Sequence, residues 1–289
     1  MNGLVYRNLK MYFNDRSGIF FSLMGAMISF ILYLAFLSQN MISSWGKVPD
    51  ARLLLDPWLI GGTMTITAIT TTLSSLSLMV KDRESKVLAD LSLTDISYIG
   101  IQCSYLITSV IIGVVMQLIM YFIMGTYFLI VDNSTFDLSL FPQILGIAIL
   151  SSFMWTIFNL LILSFVRKVD TLGKISTIIG TASGFFAGVY MPIGVLPTTM
   201  QRIMKYTPAP YNTAMYRNIL MNSQLHKSFK DLPASVLTEF KKIMGISIQL
   251  HGTLTFQQDM LIIIGFAVVI SICVLLISSI SRRLVISRV

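Results

Sequence analysis

The side chains that could carry out chemistry are few in this sequence, and they do not form a catalytic group. Histidine occurs only at His226 and His251, and cysteine only at Cys103 and Cys273. There is no G-x-x-x-x-G-K-[ST] loop for nucleotide phosphates and no H-E-x-x-H, C-x-x-C or G-x-S-x-G motif. We therefore expect no enzymatic activity, catalytic residue, metal site or cofactor on this chain. We also expect surface histidines, and cysteines that act as small buried apolar side chains.

A short charged segment, KDRESKVLADLSLTD, is the strongest candidate for a functional site, and it separates two long apolar stretches. On a helix, Val87, Leu88 and Leu91 share one side, while Asp82 and Lys86 are four residues apart and can pair. A solvated loop would leave these three apolar side chains exposed to water, whereas a docking helix would place them in a partner's groove. The pattern predicts a docking helix.

The apolar stretches around this segment indicate a membrane protein. The chain has 289 residues, of which 55% are hydrophobic and 12% charged, and its mean hydropathy is +0.77. About 20 apolar residues cross the hydrocarbon core of a bilayer. Six stretches are long enough: 19–37, 58–80, 99–131, 144–166, 172–190 and 260–280. Their interiors contain amides and hydroxyls but no buried charge, which argues against ion- or proton-driven transport.

The distribution of Lys and Arg predicts the orientation of these six spans. Twelve Lys and Arg residues precede the first span or follow the second, fourth and sixth spans. The two short loops on the other side of the membrane contain only Lys47 and Arg52. By the positive-inside rule both termini are cytoplasmic, in a multi-pass protein of the cell membrane. The net charge of +8 is therefore mostly a topology signal, and a nucleic-acid partner is not expected.

The second span carries a row of hydroxyl side chains at helical spacing. These residues are Thr63, Thr67, Thr70, Ser74 and Ser77. Small polar side chains allow close packing and hydrogen bonding between membrane helices. The row therefore either packs against another helix or lines a path for a polar or amphipathic substrate.

The fifth span has a small residue at every fourth position, namely Ser176, Gly180, Gly184 and Gly188. Such a stripe lets two helix backbones approach closely. Its partner is either a second subunit or another span of the same chain.

The segment after the fifth span is interrupted by prolines, which break a continuous helix. Between them lies an apolar face too short to cross a bilayer, which predicts a re-entrant segment. The residues predicted to form this re-entrant segment include Pro192, Leu196, Pro197, Met200 and Pro208. Residues 218–259 are more polar and are expected to form an external insert with an amphipathic run at 234–246.

The charged segment and its continuation, KDRESKVLADLSLTDIS, resemble the E-R-E-x-G-T-L-x-x-L-x-x-T-P-I-S stretch after the second span of ABC transporter permeases of type 2 (ABC-2). Matching positions are Arg83, Glu84, Leu88, Leu91, Thr94, Ile96 and Ser97. The sequence departs from the family where Ser85-Lys86 replaces a common glycine and Asp95 a common proline.

Two further stretches are similar to the same family. RNLKMYFNDRSGIFFSL is similar to its N-terminal interface helix and first span. SGFFAGVYMPIGVLPTTMQRIMKYTPAPY is similar to its signature after the fifth span, which forms outward re-entrant helices. The resemblance covers nearly all of the chain except residues 222–259, and it favours the drug and peptide exporters of the daunorubicin-resistance kind.

The resemblance implies an all-α integral membrane protein with six transmembrane helices. Its parts are an interfacial helix at 1–17 and a permease domain at 18–289, with a cytoplasmic coupling helix at 82–97, a re-entrant segment at 191–217 and the external insert. Coupling to the ATPase is then expected at Arg83, Glu84, Val87, Leu88, Leu91, Thr94 and Ile96.

The resemblance also implies partners and a function. The partners are two copies of an ATP-binding-cassette ATPase, which hold ATP and Mg, and a second permease, identical or homologous. The chain would move a small amphipathic molecule, drug or peptide outward. Two alternatives stay open: export of a lipid-linked glycan or teichoic acid, and a regulatory membrane role without transport.

Overall fold

The computed structural model describes residues 1–46, 48–132, 137–250 and 252–286, which are helical apart from loops and one isolated bridge between Gln249 and Thr253. The first helices are α1 (Asn2–Asn14) and α2 (Arg16–Leu32), and α2 continues through a π-helical turn (Tyr33–Leu37) into α3 (Ser38–Ser44). Then follow α4 (Ala51–Glu84), α5 (Val87–Ser92), α6 (Tyr98–Val131), α7 (Phe141–Ser164) and α8 (Val169–Phe186). The last four are α9 (Thr198–Lys205), α10 (Ala209–Ser228), α11 (Ala234–Ile243) and α12 (Phe256–Ile286).

Within the described residues, five helical segments are long and apolar enough to cross a membrane. They are Arg16–Ser44, Ala51–Glu84, Ile99–Val131, Leu138–Ser164 and Phe256–Ile277. The predicted fifth span corresponds to α8, which has 18 residues and carries Asp170 and Lys174 near its start. These charges lower its apolar character, so the count of six spans stays a prediction.

Helix α4 is the centre of the molecule and packs against α2, α6, α7, α8 and α10. In its most apolar window 78% of the residues are buried, whereas the corresponding value for α12 is 11%. The hydroxyl-rich α4 therefore forms the interior, while few side chains of the apolar window of α12 within Phe256–Ile277 are buried by the bundle.

Buried apolar side chains form two main groups along α4. The larger group contains Trp58, Phe128 and Tyr216 and lies towards the Ala51 end of α4. The other contains Val80 and Tyr105 and lies towards the Glu84 end. We refer below to these two ends of the bundle as the Ala51 end and the Glu84 end.

The proline-containing segment folds back into the bundle. Ala209, at the start of α10, packs against Ala68, Ile69 and Trp155 near the middle of α4 and α7. From there α10 runs beside α4 towards the Ala51 end, where the Arg217 guanidinium binds the carbonyl of residue 58. The short helix α9 and the first half of α10 thus form a hairpin whose tip lies at mid-bundle.

The predicted boundary between a re-entrant segment at 191–217 and an insert at 218–259 is not a structural boundary. One helix, α10 (Ala209–Ser228), runs across it. The amphipathic run at 234–246 contains a helix, α11 (Ala234–Ile243), and Phe240 of this helix and Met244 after it are buried in the larger core. The insert is therefore packed onto the bundle through its apolar face.

Polar side chains inside the bundle hydrogen-bond to one another. Gln117 of α6 donates to the Ser152 hydroxyl of α7 (2.7 Å) and accepts from the Tyr216 hydroxyl of α10 (2.7 Å). Asn159 of α7 donates to the Thr72 hydroxyl of α4 (2.9 Å). Such contacts fix the register of membrane helices, which lack a hydrophobic driving force between them.

Candidate functional site

Asp82, near the C-terminal end of α4, is the buried centre of a charged cluster. Its two carboxylate oxygens accept hydrogen bonds from the Arg7 guanidinium of α1 at 2.8 and 3.0 Å, and Oδ2 also accepts from the Tyr105 hydroxyl of α6 at 2.6 Å. The hydrogen bonds to Asp82 raise the pKa of Arg7 above its ordinary value. Asp82 therefore joins α1 and α6 to α4 through a bidentate ion pair.

The next two side chains of α4 reach two other helices. Arg83 donates from Nη1 to the carbonyl of Val166 at 2.6 Å, just beyond the end of α7. Glu84 accepts at 2.8 Å from the backbone N–H of Val169, the first residue of α8. Because unpaired carbonyls at a helix end attract a cation and unpaired N–H groups at a helix start attract an anion, both contacts are favourable.

The coupling segment differs in two respects from the predicted helix at 82–97. Helix α4 ends at Glu84, Lys86 takes a left-handed conformation (φ 65°), and α5 spans only Val87–Ser92. The predicted helical pair between Asp82 and Lys86 is therefore wrong, because a turn separates the two residues and Asp82 binds Arg7 instead.

The apolar side of α5 faces the bundle. Leu88, Leu91 and Ile96 are half-buried against the core at the Glu84 end. Thr94 is exposed, and its hydroxyl donates to the Leu91 carbonyl at 2.7 Å. The predicted apolar docking face is thus used at least in part to seat α5 on its own helices.

The exposed side of this segment carries a large apolar side chain that sequence reasoning missed. Leu93, which follows α5, is 87% exposed. A separate cavity of about 500 Å³ at the Glu84 end is lined in part by Arg7, Glu84 and Val87, but not by Leu93. A single exposed leucine is common on protein surfaces, so Leu93 alone does not identify a docking surface. Leu93 does not belong to the i, i+3, i+4 apolar pattern of α5, so that pattern does not identify it.

The comparison with known proteins decides what this arrangement belongs to. A sequence model described as ABC-2 type transporter matches residues 2–221, which is most of the chain. The chain belongs to the ABC-2 type transporter family. It is a permease subunit of an ABC transporter, and the apolar helices agree with a membrane protein. No curated protein matches it.

In this permease the row of hydroxyls on α4 changes character along the helix. Thr63 and Thr67 are fully buried, and their hydroxyls donate to carbonyls one turn earlier. Thr70, Ser74 and Ser77 are half-buried. Ser74 and Ser77 line a cavity of about 280 Å³ between α4 and the junction of α1 with α2. The first part of the row packs inside the bundle, and a pathway role stays a prediction for the second part.

The small-residue stripe of the permease is shared between packing within the chain and an open face. A side chain at Gly184 would collide with the Tyr190 ring, and Gly188 lies beyond the end of α8 with φ 60°. At Gly180 an added Cβ meets nothing within 4 Å, and Ser176 is half-buried. Gly184 and Gly188 are therefore explained inside this chain, whereas a second subunit stays a prediction for Ser176 and Gly180.

The prolines of the permease mark the starts of the elements that form its hairpin. Pro192 precedes the 3₁₀ turn Ile193–Val195, Pro197 precedes α9 and Pro208 precedes α10. This placement follows from the fixed φ of proline and its lack of an N–H group. Leu196 is half-buried against the core and Met200 is 49% exposed.

A buried arginine holds the base of the hairpin, and the sequence reasoning gave it no role. Arg217 of α10 is 1% exposed and donates to the carbonyls of Met244 (2.9 Å), Gly188 (3.0 Å) and Trp58 (3.2 Å). Its guanidinium lies 4.2 Å from the centre of a Trp58 ring. Arg217 thus connects α4, the end of α8 and the turn after α11.

The remaining predictions concern the histidines, the cysteines and the absence of a metal site. His226 is exposed, as predicted, and His251 lies outside the described residues. Cys103 and Cys273 are free thiols that are half-buried, less buried than predicted. Over the described ranges no three His, Cys, Asp or Glu side chains are placed to hold a metal ion.

Proposed function

We propose that this permease subunit exports a small amphipathic molecule, drug or peptide across the cell membrane. The energy comes from ATP hydrolysed with Mg on two copies of a separate ATP-binding-cassette subunit that dock at the Glu84 end. This end is cytoplasmic, and both termini lie on the same side. The concentration of Lys and Arg around the predicted cytoplasmic segments supports that orientation.

The observation that carries the proposal is the connectivity of three consecutive side chains. Asp82 binds α1 and α6, Arg83 binds the end of α7, and Glu84 binds the start of α8. A push on α5 by a docked ATPase would therefore reach four helices besides α4. A subunit without a nucleotide-binding loop needs such a mechanical connection if a partner is to drive it.

A second permease, identical or homologous, completes the proposed exporter. The half-buried face of α8 around Ser176 and Gly180 supports this contact, because a Cβ added at Gly180 would meet no atom of the described residues within 4 Å. Substrate would leave between the two permeases past the hairpin of α9 and α10. The exposed apolar side chains Met200 and Ile203 on α9 (49% and 48%) support a membrane-facing or partner-facing hairpin.

The decisive experiment changes the exposed docking residue and leaves the helices intact. In the variant Leu93→Asp, the exposed apolar side chain that faces the ATPase becomes a carboxylate. The matched control is Leu138→Asp, which makes the same change at a 65% exposed leucine at the Ala51 end. Each tagged variant is purified from native membranes, and co-purified ATP-binding protein is detected by photolabelling with 8-azido-ATP.

We expect Leu93→Asp to lose roughly tenfold or more of the bound ATPase, and Leu138→Asp to retain it. Both variants should keep the unfolding midpoint of the unmodified chain, because neither side chain is buried. Equal ATPase recovery from the two variants would show that docking does not occur on this surface.

A further inference from the structure

A cavity of about 340 Å³ at the Ala51 end combines acidic and apolar walls. It lies between α4, α6, α10 and the turn that leads into α7. Among the described residues, three carboxylates, Asp50, Asp56 and Asp137, line it together with one cation, Lys227. The volume falls in the range of small-molecule sites, which is about 300–1,000 Å³.

Asp56 is the residue that distinguishes this cavity from an ordinary surface cleft. It is 2% exposed, and no group within the described residues donates a hydrogen bond to its Oδ2. The nearby cation, Arg52 one turn earlier, is bound to Asp132 at 2.7 Å. A buried carboxylate oxygen without a hydrogen-bond donor is costly. Such a group in a cavity wall therefore favours a ligand that supplies both a positive charge and an N–H donor.

Two further acceptors lie in the same wall. Pro57 has no N–H group, so the carbonyl of Leu53, one turn earlier, lacks its usual helical donor. Asp137 accepts a hydrogen bond from the backbone N–H of Ser139 at 2.9 Å, and the bonds from Ser139 lower the pKa of this exposed carboxyl. Asp137 is therefore ionised at neutral pH and adds negative charge at the cavity.

The rest of the cavity wall argues for an organic ligand and against a metal ion. Ile60, Leu140 and Leu220 provide apolar surface, and Tyr121 adds an aromatic ring. In the parts of the chain that the structure covers, no three ligating side chains come close enough together to hold a metal. An ammonium group on an apolar body matches this combination of carboxylates, ring and aliphatic side chains.

We propose that this cavity binds an organic amine, with the ammonium group at Asp56 and the apolar body along Ile60, Leu140 and Leu220. The site follows from the cavity itself and does not depend on the direction or energy source of transport proposed above. Lys227 is the competing cation: when its ammonium turns towards the carboxylates, it opposes binding of the amine.

The test measures binding to the purified full-length permease in detergent, without an ATPase. The probe is 4-phenylbutylamine, and the neutral comparison ligand is 4-phenylbutanol, which has a similar shape but no charge. Isothermal titration gives the affinity for both ligands. The central variant is Asp56→Asn, which keeps the size of the side chain and removes its charge.

The chain offers a matched control in Asp259. This residue is 0% exposed, and neither of its carboxylate oxygens has a hydrogen-bond partner among the described groups, but it does not line the cavity. Asp259→Asn therefore makes the same change in an equally buried place. A third variant, Lys227→Met, removes the competing cation and is expected to act in the opposite direction.

We expect the amine to bind at least about tenfold more tightly than the alcohol, and Asp56→Asn to abolish that difference. Asp259→Asn should leave it unchanged, and Lys227→Met should increase it. Equal affinities for amine and alcohol would overturn the proposal, as would an equal loss in the two Asp→Asn variants. If Asp56→Asn does not fold, a failure of Lys227→Met to tighten amine binding overturns it independently.

Discussion

Helix α4 carries a buried carboxylate near each end, and the two carboxylates differ in their hydrogen-bond partners. At the Glu84 end, Asp82 is 4% exposed and accepts hydrogen bonds from Arg7 and Tyr105. At the Ala51 end, Asp56 is 2% exposed, and its Oδ2 has no donor among the described residues. The first carboxylate is fully used in holding helices together, whereas the second has bonding capacity left for a ligand.

Two arginines show a related difference. Arg7 at the Glu84 end binds a carboxylate, while Arg217 at the Ala51 end donates to backbone carbonyls and lies against the Trp58 ring. A guanidinium that satisfies carbonyls from several segments fixes irregular backbone, which is needed where α8 ends and the hairpin begins. These contacts support the proposed transmission of force at the Glu84 end and the proposed ligand site at the Ala51 end.

The largest effect is expected from Arg217→Met. This change keeps most of the side-chain volume but leaves the carbonyl of Gly188 without its Arg217 donor, while the carbonyl of Met244 keeps only the Trp58 indole N–H at 2.7 Å. An unsatisfied buried acceptor costs about 1–3 kcal/mol, and the contact of the guanidinium with the Trp58 ring is lost as well, so we expect a loss of roughly 3 kcal/mol in the free energy of unfolding. The midpoint of denaturant-induced unfolding in detergent measures it. A loss as small as that of an exposed substitution would show that water replaces the guanidinium.

The next effect tests the ion pair at the Glu84 end. Asp82→Asn removes the charge that holds Arg7, and the Arg7 side chain is 29% exposed. We therefore expect a loss of about 2 kcal/mol, less than for a fully buried pair. Asp170→Asn is the matched control, because Asp170 pairs with Lys174 at the surface, where both side chains are more than 70% exposed.

The control should change the unfolding free energy by less than about 0.5 kcal/mol. The same unfolding measurement compares the two variants. Equal stabilities of Asp82→Asn and Asp170→Asn would mean that α1 is held to α4 by apolar contacts alone, and that the Glu84 end does not depend on its ion pair.

Sequence reasoning located the regular elements well because apolar length and proline positions are local signals. The stretches at 58–80 and 99–131 lie within α4 and α6, and Pro197 and Pro208 immediately precede helices. What the sequence could not give is the relation between distant segments. The partner of Asp82 is Arg7, 75 positions away along the chain, and an i, i+4 rule finds only Lys86.

The amphipathic pattern of α5 shows the same limit. It predicted correctly that Leu88 and Leu91 share a side, but a pattern does not tell whether that side meets a partner or the chain's own core. Asp56 was missed for a related reason. The predicted apolar stretch begins at Trp58, whereas the helix begins at Ala51, so Asp56 falls outside the stretch that the sequence predicts to span the membrane.

The smallest effect is the one that separates the two carboxylates most sharply. Asp56→Asn should change the free energy of unfolding by less than about 1 kcal/mol and can raise it, because it removes a buried charge that lacks a partner. The comparison with Asp82→Asn uses the same amino-acid change on the same helix, so the difference between the two values reports only their surroundings.

Unfolding midpoints of the unmodified chain and of Asp56→Asn are measured without and with 4-phenylbutylamine. The amine should stabilise the unmodified chain and leave Asp56→Asn unaffected, since a ligand stabilises only the state that binds it. If Asp56→Asn instead destabilised the chain as strongly as Asp82→Asn, the Asp56 carboxylate would have a structural partner, and the two ends of α4 would not differ in kind.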